Sequence, residues 1–95
     1  MSLRDAGAPR FIHREPPAYP FLARKLGKEG KVVLRVTLDE SGGQQRIEVV
    51  VRGEFGFTET AMYSVEKSEF SPARKDGKPV ASRVLIPVRF LLKGD

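Results

Sequence analysis

From Lys31 to Asp39 apolar and polar residues alternate without a break. Val32, Leu34, Val36 and Leu38 fall on one side of an extended chain, and Lys31, Val33, Arg35, Thr37 and Asp39 on the other. A period of two belongs to a half-buried strand and does not fit a helix. Ser41-Gly42-Gly43 follows as a turn. Alternation then resumes from Gln44 to Arg52, with Ile47, Val49 and Val51 inward and Arg46, Glu48, Val50 and Arg52 outward. Two such runs around a Gly-rich turn predict a β-hairpin. A hairpin with one apolar face needs a second layer to cover it, so the rest of the chain must supply that layer.

The run from Arg83 to Lys93 is the most apolar. Burying Arg89 unpaired would cost several kcal/mol, which selects the parity with Val84, Ile86, Val88, Phe90 and Leu92 inward. Pro87 cannot donate to a ladder, so this strand belongs at a sheet edge. Pro16, Pro17 and Pro20 hold the chain around Ala18 and Tyr19 extended. Pro20 suits a helix start, Phe21, Leu22, Ala23 and Leu26 form a short apolar stripe, and Gly27 and Gly30 end it after about two turns. Phe57, Ala61, Met62 and Val65 mark a second helix within 57–69, with Thr58 as its cap. Phe70 reads as a core plug before Pro72, and Asp76-Gly77-Lys78-Pro79 as a turn. Residues 1–15 show neither period and read as a flexible tail or linker end.

The predicted fold is therefore α+β, in chain order α-β-β-α-β over residues 16–95. Two helices cover one face of a three-stranded antiparallel sheet of order 2-1-3, with the first strand central. Ninety-five residues suffice for one modest core.

Little in the chain points to catalysis. There is no cysteine and one histidine, His13, which removes thiol nucleophiles, zinc-thiolate sites and disulfides and leaves almost nothing for acid–base work. We expect no enzyme activity, no metal site and no cofactor. Gly27-Lys28-Glu29-Gly30 matches a GxxG clamp, but it precedes a strand instead of joining two helices. The net charge is +5. The uncovered sheet face carries Lys31, Arg35, Arg46, Arg52, Arg83, Arg89 and Lys93 against Asp39 and Glu48. A single-strand nucleic-acid platform stacks bases on exposed aromatics, and none of these positions is aromatic, so we expect no nucleic-acid partner and keep a nucleic-acid-binding module only as a third reading. No apolar run approaches the ~18 residues that cross a bilayer, and residues 1–10 lack the apolar region of a secretory signal.

Several short pieces together resemble the TonB C-terminal domain family. They are Pro17-Ala18-Tyr19-Pro20, Glu29-Gly30-Lys31-Val32, Gly56-Phe57 with Ala61, Phe70-Ser71-Pro72-Ala73, Asp76-Gly77-Lys78-Pro79-Val80 and Ile86-Pro87-Val88-Arg89-Phe90. The resemblance covers about residues 16–92. It implies the periplasmic domain of an energy transducer of Gram-negative bacteria, anchored in the inner membrane by a preceding helix beside ExbB and ExbD. Such a domain grips the TonB box of an outer-membrane receptor by strand addition, driving uptake of siderophores, cobalamin or similar cargo.

By the same resemblance the box would pair along the last strand, at Arg83, Val84, Leu85, Ile86, Pro87, Val88, Arg89, Phe90 and Leu91. Pro16, Pro17, Ala18 and Tyr19 would flank it. One position departs: where the enteric TonB has a glutamine before its Pro-x-Tyr-Pro motif, this chain has Pro16, which has no side-chain donor. The alternative reading is a TonB- or TolA-like envelope scaffold that self-associates, including a homodimer made by strand exchange through the same edge.

Overall fold

The alternating runs form the predicted hairpin, and the apolar C-terminal run pairs with its first strand. The computed structural model describes residues 7–93. In chain order the elements are β1 (Phe11–His13), α1 (Phe21–Lys25), β2 (Gly30–Leu38), β3 (Gln44–Val51), α2 (Phe57–Lys67), β4 (Glu69–Phe70), β5 (Ala73–Lys75), β6 (Lys78–Val80) and β7 (Ser82–Phe90). The main sheet has the order β3-β2-β7, with both pairings antiparallel. β2 is central. The connection from β3 to β7 carries α2 across the sheet, so the helix packs on the inward face of β2.

That face is the core. Val32, Leu34, Val36 and Leu38 of β2 are fully buried, and Val84, Ile86, Val88 and Phe90 of β7 nearly so. The parity chosen to keep Arg89 out of the core is the one observed; Leu92 lies beyond the strand and is half-buried. α2 contributes Phe57, Ala61 and Val65, and Phe70 plugs one end. The Phe57 and Phe90 rings stack at 4.5 Å. Tyr19 meets both edge-on, at 5.7 and 5.8 Å. The Phe57 ring sits so low on the sheet that a Cβ on Gly30 would come within 2.7 Å of it, which explains a glycine at the start of β2.

Several expectations are corrected. β1 pairs with β4, the Phe11 ring lies 4.7 Å from that of Phe70, and Ala8 is buried. Residues 7–15 are therefore packed on the domain where the sequence predicts a flexible tail; residues 1–6 lie outside the described residues. A three-residue strand is too short to show a period, and its partner has only two. In the hairpin, Leu34 pairs with Val49 but Val33 with Val51. The extra residue, Val50, is a bulge that reverses parity, so Val51 lies beside outward-facing Val33 and is exposed.

The helix ends also differ. α1 has five residues, shorter than expected. It stops in a Schellman turn, with the Gly27 and Lys28 amides donating to the Arg24 and Ala23 carbonyls and Gly27 at φ +66°. Of its apolar stripe only Ala23 is buried. α2 begins at Gly56 without a side-chain cap. The Thr58 hydroxyl instead accepts from the Gly53 amide and donates to the Gly53 carbonyl, clasping the loop from β3. Asp76 and Gly77 both take positive φ and close a further hairpin, β5–β6.

The β2–β3 turn is tied by Asp39. Its carboxylate accepts from the Ser41 hydroxyl and from the Ser41 and Gly43 amides. These bonds, the hydroxyl first, hold the carboxyl below its ordinary range.

Phe57 joins helix, sheet and N-terminal segment, so its loss leaves a cavity that no single element can close. Phe57→Ala is expected to lower unfolding free energy by about 3–5 kcal/mol. A urea titration measures this, and a change below about 1 kcal/mol would contradict the packing role.

Candidate functional site

β7 has one neighbour, β2, along nine paired positions from Ser82↔Leu38 to Phe90↔Gly30. Among the described residues its other side bears no strand, so the edge position inferred from Pro87 holds. Successive residues of a strand point their N–H and C=O to opposite sides in the plane of the sheet. Proline sits in a strand where its missing donor faces away from the ladder. By that rule Arg83, Leu85, Pro87 and Arg89 turn their backbone groups to the open side. They offer four carbonyl acceptors but only three N–H donors, with the gap at Pro87. Val84, Ile86, Val88 and Phe90 turn theirs toward β2 and their side chains into the core. Backbone direction and side-chain burial thus alternate together along β7.

The side chains of those outward residues lie on the uncovered sheet face. Register places them in rows: Lys31 with Arg89; Val51 with Val33 and Pro87; Glu48 with Arg35 and Leu85; Arg46 with Thr37 and Arg83. Basic rows therefore bracket an apolar patch made by Val51, Val33, Pro87 and Leu85. Sequence reasoning missed this patch, because strict alternation turned Val51 inward. The visible trace was the three successive valines, Val49 to Val51, which no half-buried strand needs. Among the described residues the ion pairs are His13–Glu15 and Arg46–Glu48. Neither involves Arg83 or Arg89.

The other predicted group, Pro16 to Tyr19, forms a strap running antiparallel to α2. The Glu15 amide donates to Ser68 Oγ at 3.0 Å, and the Glu15 carbonyl accepts from Ser64 Oγ at 2.5 Å. The Ala18 carbonyl accepts from Thr60 Oγ1 at 2.7 Å. Thr60, Ser64 and Ser68 recur every four residues, a hydroxyl stripe that sequence reasoning did not use and that could have located the strap. Tyr19 then drops against Phe90 at the C-terminal end of β7. Its hydroxyl donates to the Lys28 carbonyl, and the Arg24 guanidinium covers the ring at 4.8 Å. Desolvation pushes the phenol pKa up, Glu29 adds to the rise, and Arg24 opposes it.

The structure thus brings Tyr19 to one end of β7, while Pro16, Pro17 and Ala18 follow the helix. Leu91 lies one residue past the strand and is 66% exposed. Beside it the Leu92 amide donates to Glu29 Oε2 at 2.6 Å, fixing where the strand leaves the sheet.

A shallow groove of about 520 Å³ lies elsewhere, between the β2–β3 turn and the end of α2, lined by residues that include Gly42, Gln44, Glu66 and Phe70. None of its lining residues belongs to β7 or the strap. Among the described residues no three His, Cys, Asp or Glu side chains converge as a metal site. Among the described residues no helix is long and apolar enough to cross a membrane.

Comparison with known proteins bears on the fold and the family. The family described as Gram-negative bacterial TonB protein C-terminal matches residues 15–92. Protein TonB of Vibrio cholerae is 39% identical over 79 residues, covering 82% of this chain and 32% of that protein. Protein tonB2 of Pseudomonas aeruginosa is 34% identical over 83 residues, covering 86% and 31%. The solution NMR structure of the Pseudomonas aeruginosa TonB CTD superposes with a TM-score of 0.75 at 27% identity, covering 100% of this chain and 96% of that one. This chain spans about a third of the length of the two relatives named. It belongs to the Gram-negative TonB C-terminal family.

Proposed function

We propose that this chain is the receptor-engaging, periplasmic end of a TonB-type energy transducer, a non-enzymatic role. It captures the TonB box of an outer-membrane receptor as a fourth strand on the open edge of β7. The observation that carries the reading is the unpaired side of β7, with three outward donors, four outward acceptors and an apolar patch beside them. Family membership supplies the partner class. Coupling to ExbB and ExbD, the inner-membrane anchor and the force for siderophore or cobalamin uptake would belong to the whole transducer, of whose relatives' length this chain spans about a third.

The energetics set limits on the grip. About five backbone bonds at ~1 kcal/mol net each give ~5 kcal/mol, against an association cost of at least ~4 kcal/mol. Pairing alone is too weak, so side chains must add several kcal/mol. Leu85 and Pro87 offer apolar neighbours for the open-face side chains of the captured strand, and Arg83 and Arg89 offer charge at either end. A micromolar complex fits this balance and suits a partner that must be released. Pro16 adds no donor to the strap, so recognition in this chain rests on β7 and Tyr19.

The donor gap makes the reading testable from both directions. Leu85→Pro removes one outward N–H without touching the β2 ladder. It should weaken a TonB-box peptide at least fivefold, the value of one ~1 kcal/mol bond, with the urea midpoint nearly unchanged. Pro87→Ala restores the missing donor and should tighten binding by about as much. Calorimetric titration reads both, and unchanged affinity in both variants would mean that β7 is not the dock. If Pro87→Ala instead yields dimers by light scattering that excess peptide does not dissolve, the self-associating scaffold reading takes precedence.

Arg83 and Arg89 should favour box peptides with acidic residues near their ends. Raising the salt concentration should then weaken binding by screening; an affinity independent of salt removes the two arginines from recognition.

A further inference from the structure

α1 is turned the wrong way round for a surface helix. At about 100° per residue, Phe21, Lys25, Leu22 and Leu26 share one arc. All four face solvent, with Phe21 80%, Leu22 53% and Leu26 51% exposed. The core receives only Ala23, which is fully buried. A surface helix ordinarily presents its large apolar residues to the core and its charges to water. Three large apolar side chains grouped on one exposed turn mark a contact site.

The charges carried by α1 and its Schellman turn are all positive, and the next residue, Glu29, turns its carboxylate to the Leu92 amide. α1 has no acidic residue in its first turn and carries Arg24 and Lys25 in its last. Lys28 follows in the Schellman turn. Arg24 lies over Tyr19, and the Lys28 ammonium sits 5.5 Å from the Phe55 ring. None of the three cations belongs to the ion pairs among the described residues.

We propose that α1 is a membrane-surface contact. Phe21, Leu22 and Leu26 enter the headgroup–acyl boundary of an anionic leaflet, while Arg24, Lys25 and Lys28 meet its phosphates. Apolar side chains of this kind beside lysine and arginine are the chemistry of interfacial helices, and each cation adds attraction to an anionic surface. Charge argues against a second copy as the occupant: a two-fold contact through this arc would set its cations against themselves. The surface is separate from the open edge of β7, and this proposal stands or falls apart from the peptide-capture reading.

The test is vesicle flotation of the full chain. One set of vesicles is phosphatidylcholine; the other contains about 30 mol% phosphatidylglycerol. Binding to the anionic set is expected, with little to the neutral one. Phe21→Ser combined with Leu26→Ser should lower partitioning about tenfold with circular dichroism and urea midpoint unchanged, since both side chains already face water. Lys25→Glu should also weaken it. Arg46→Glu, on the open sheet face, should leave it unaltered. Absence of binding to anionic vesicles overturns the proposal. So does binding that survives the double serine variant and is lost in Arg46→Glu, which would assign the attraction to the sheet. A third contrary result is self-association in sedimentation that the serine variant abolishes while lipid binding persists; the arc would then be a protein contact.

Discussion

The stack of Phe57 on Phe90 ties the helix layer to the edge strand. Tyr19 closes it from the side and brings the N-terminal strap with it. An aromatic cluster of this kind contributes both area and specific ring geometry. Gly30 and Gly53 are both placed so that a Cβ would strike Phe57; the backbone around the ring is built to its shape. Because Phe90 is the last residue of β7, the cluster anchors the strand at the point where an edge strand would otherwise fray. Glu29 secures the same end from outside by accepting from the Leu92 amide.

With its inward side held along nine paired positions, β7 can leave its other side unpaired without losing its place. A long open edge is an aggregation hazard, and proteins blunt such edges with proline and charge. β7 carries Pro87 at its middle with Arg83 and Arg89 on either side. These residues weaken pairing with an arbitrary strand more than with a complementary one: the proline removes one donor, and the arginines disfavour a basic partner. In the proposed role, protection and selectivity are therefore the same three side chains. The domain's net charge of +5 acts in the same direction, keeping copies apart.

Much of this was readable in the residues. Unbroken alternation from Val32 to Leu38 determined which face of β2 is buried. The cost of burying Arg89 determined the parity of β7, and Pro87 placed it at the edge. What escaped reading depends on contacts distant in sequence. β1 has three residues and acquires its conformation from β4 and the Phe11–Phe70 contact. The bulge at Val50 breaks the alternation and carries Val51 onto the open face. α1 shows an apolar stripe that local pattern turns inward, whereas the Tyr19 and Pro20 anchor point it outward. In the candidate site, the edge position of β7 was legible from Pro87 and the outward side chains from parity, while the docking role came only from the family resemblance. The course of the strap was not, because it is set by hydroxyls on α2 more than forty positions away in sequence.

The central claim is that the outward backbone groups of β7 receive a partner strand. Amide hydrogen exchange read residue by residue, with and without a TonB-box peptide, tests it most directly. The Val84, Ile86 and Val88 amides already face β2 and should be protected in both states. New protection should appear at Arg83, Leu85 and Arg89, in step with their outward parity. Protection that arises instead along β3, or at none of these three amides while the peptide is bound, would contradict the account.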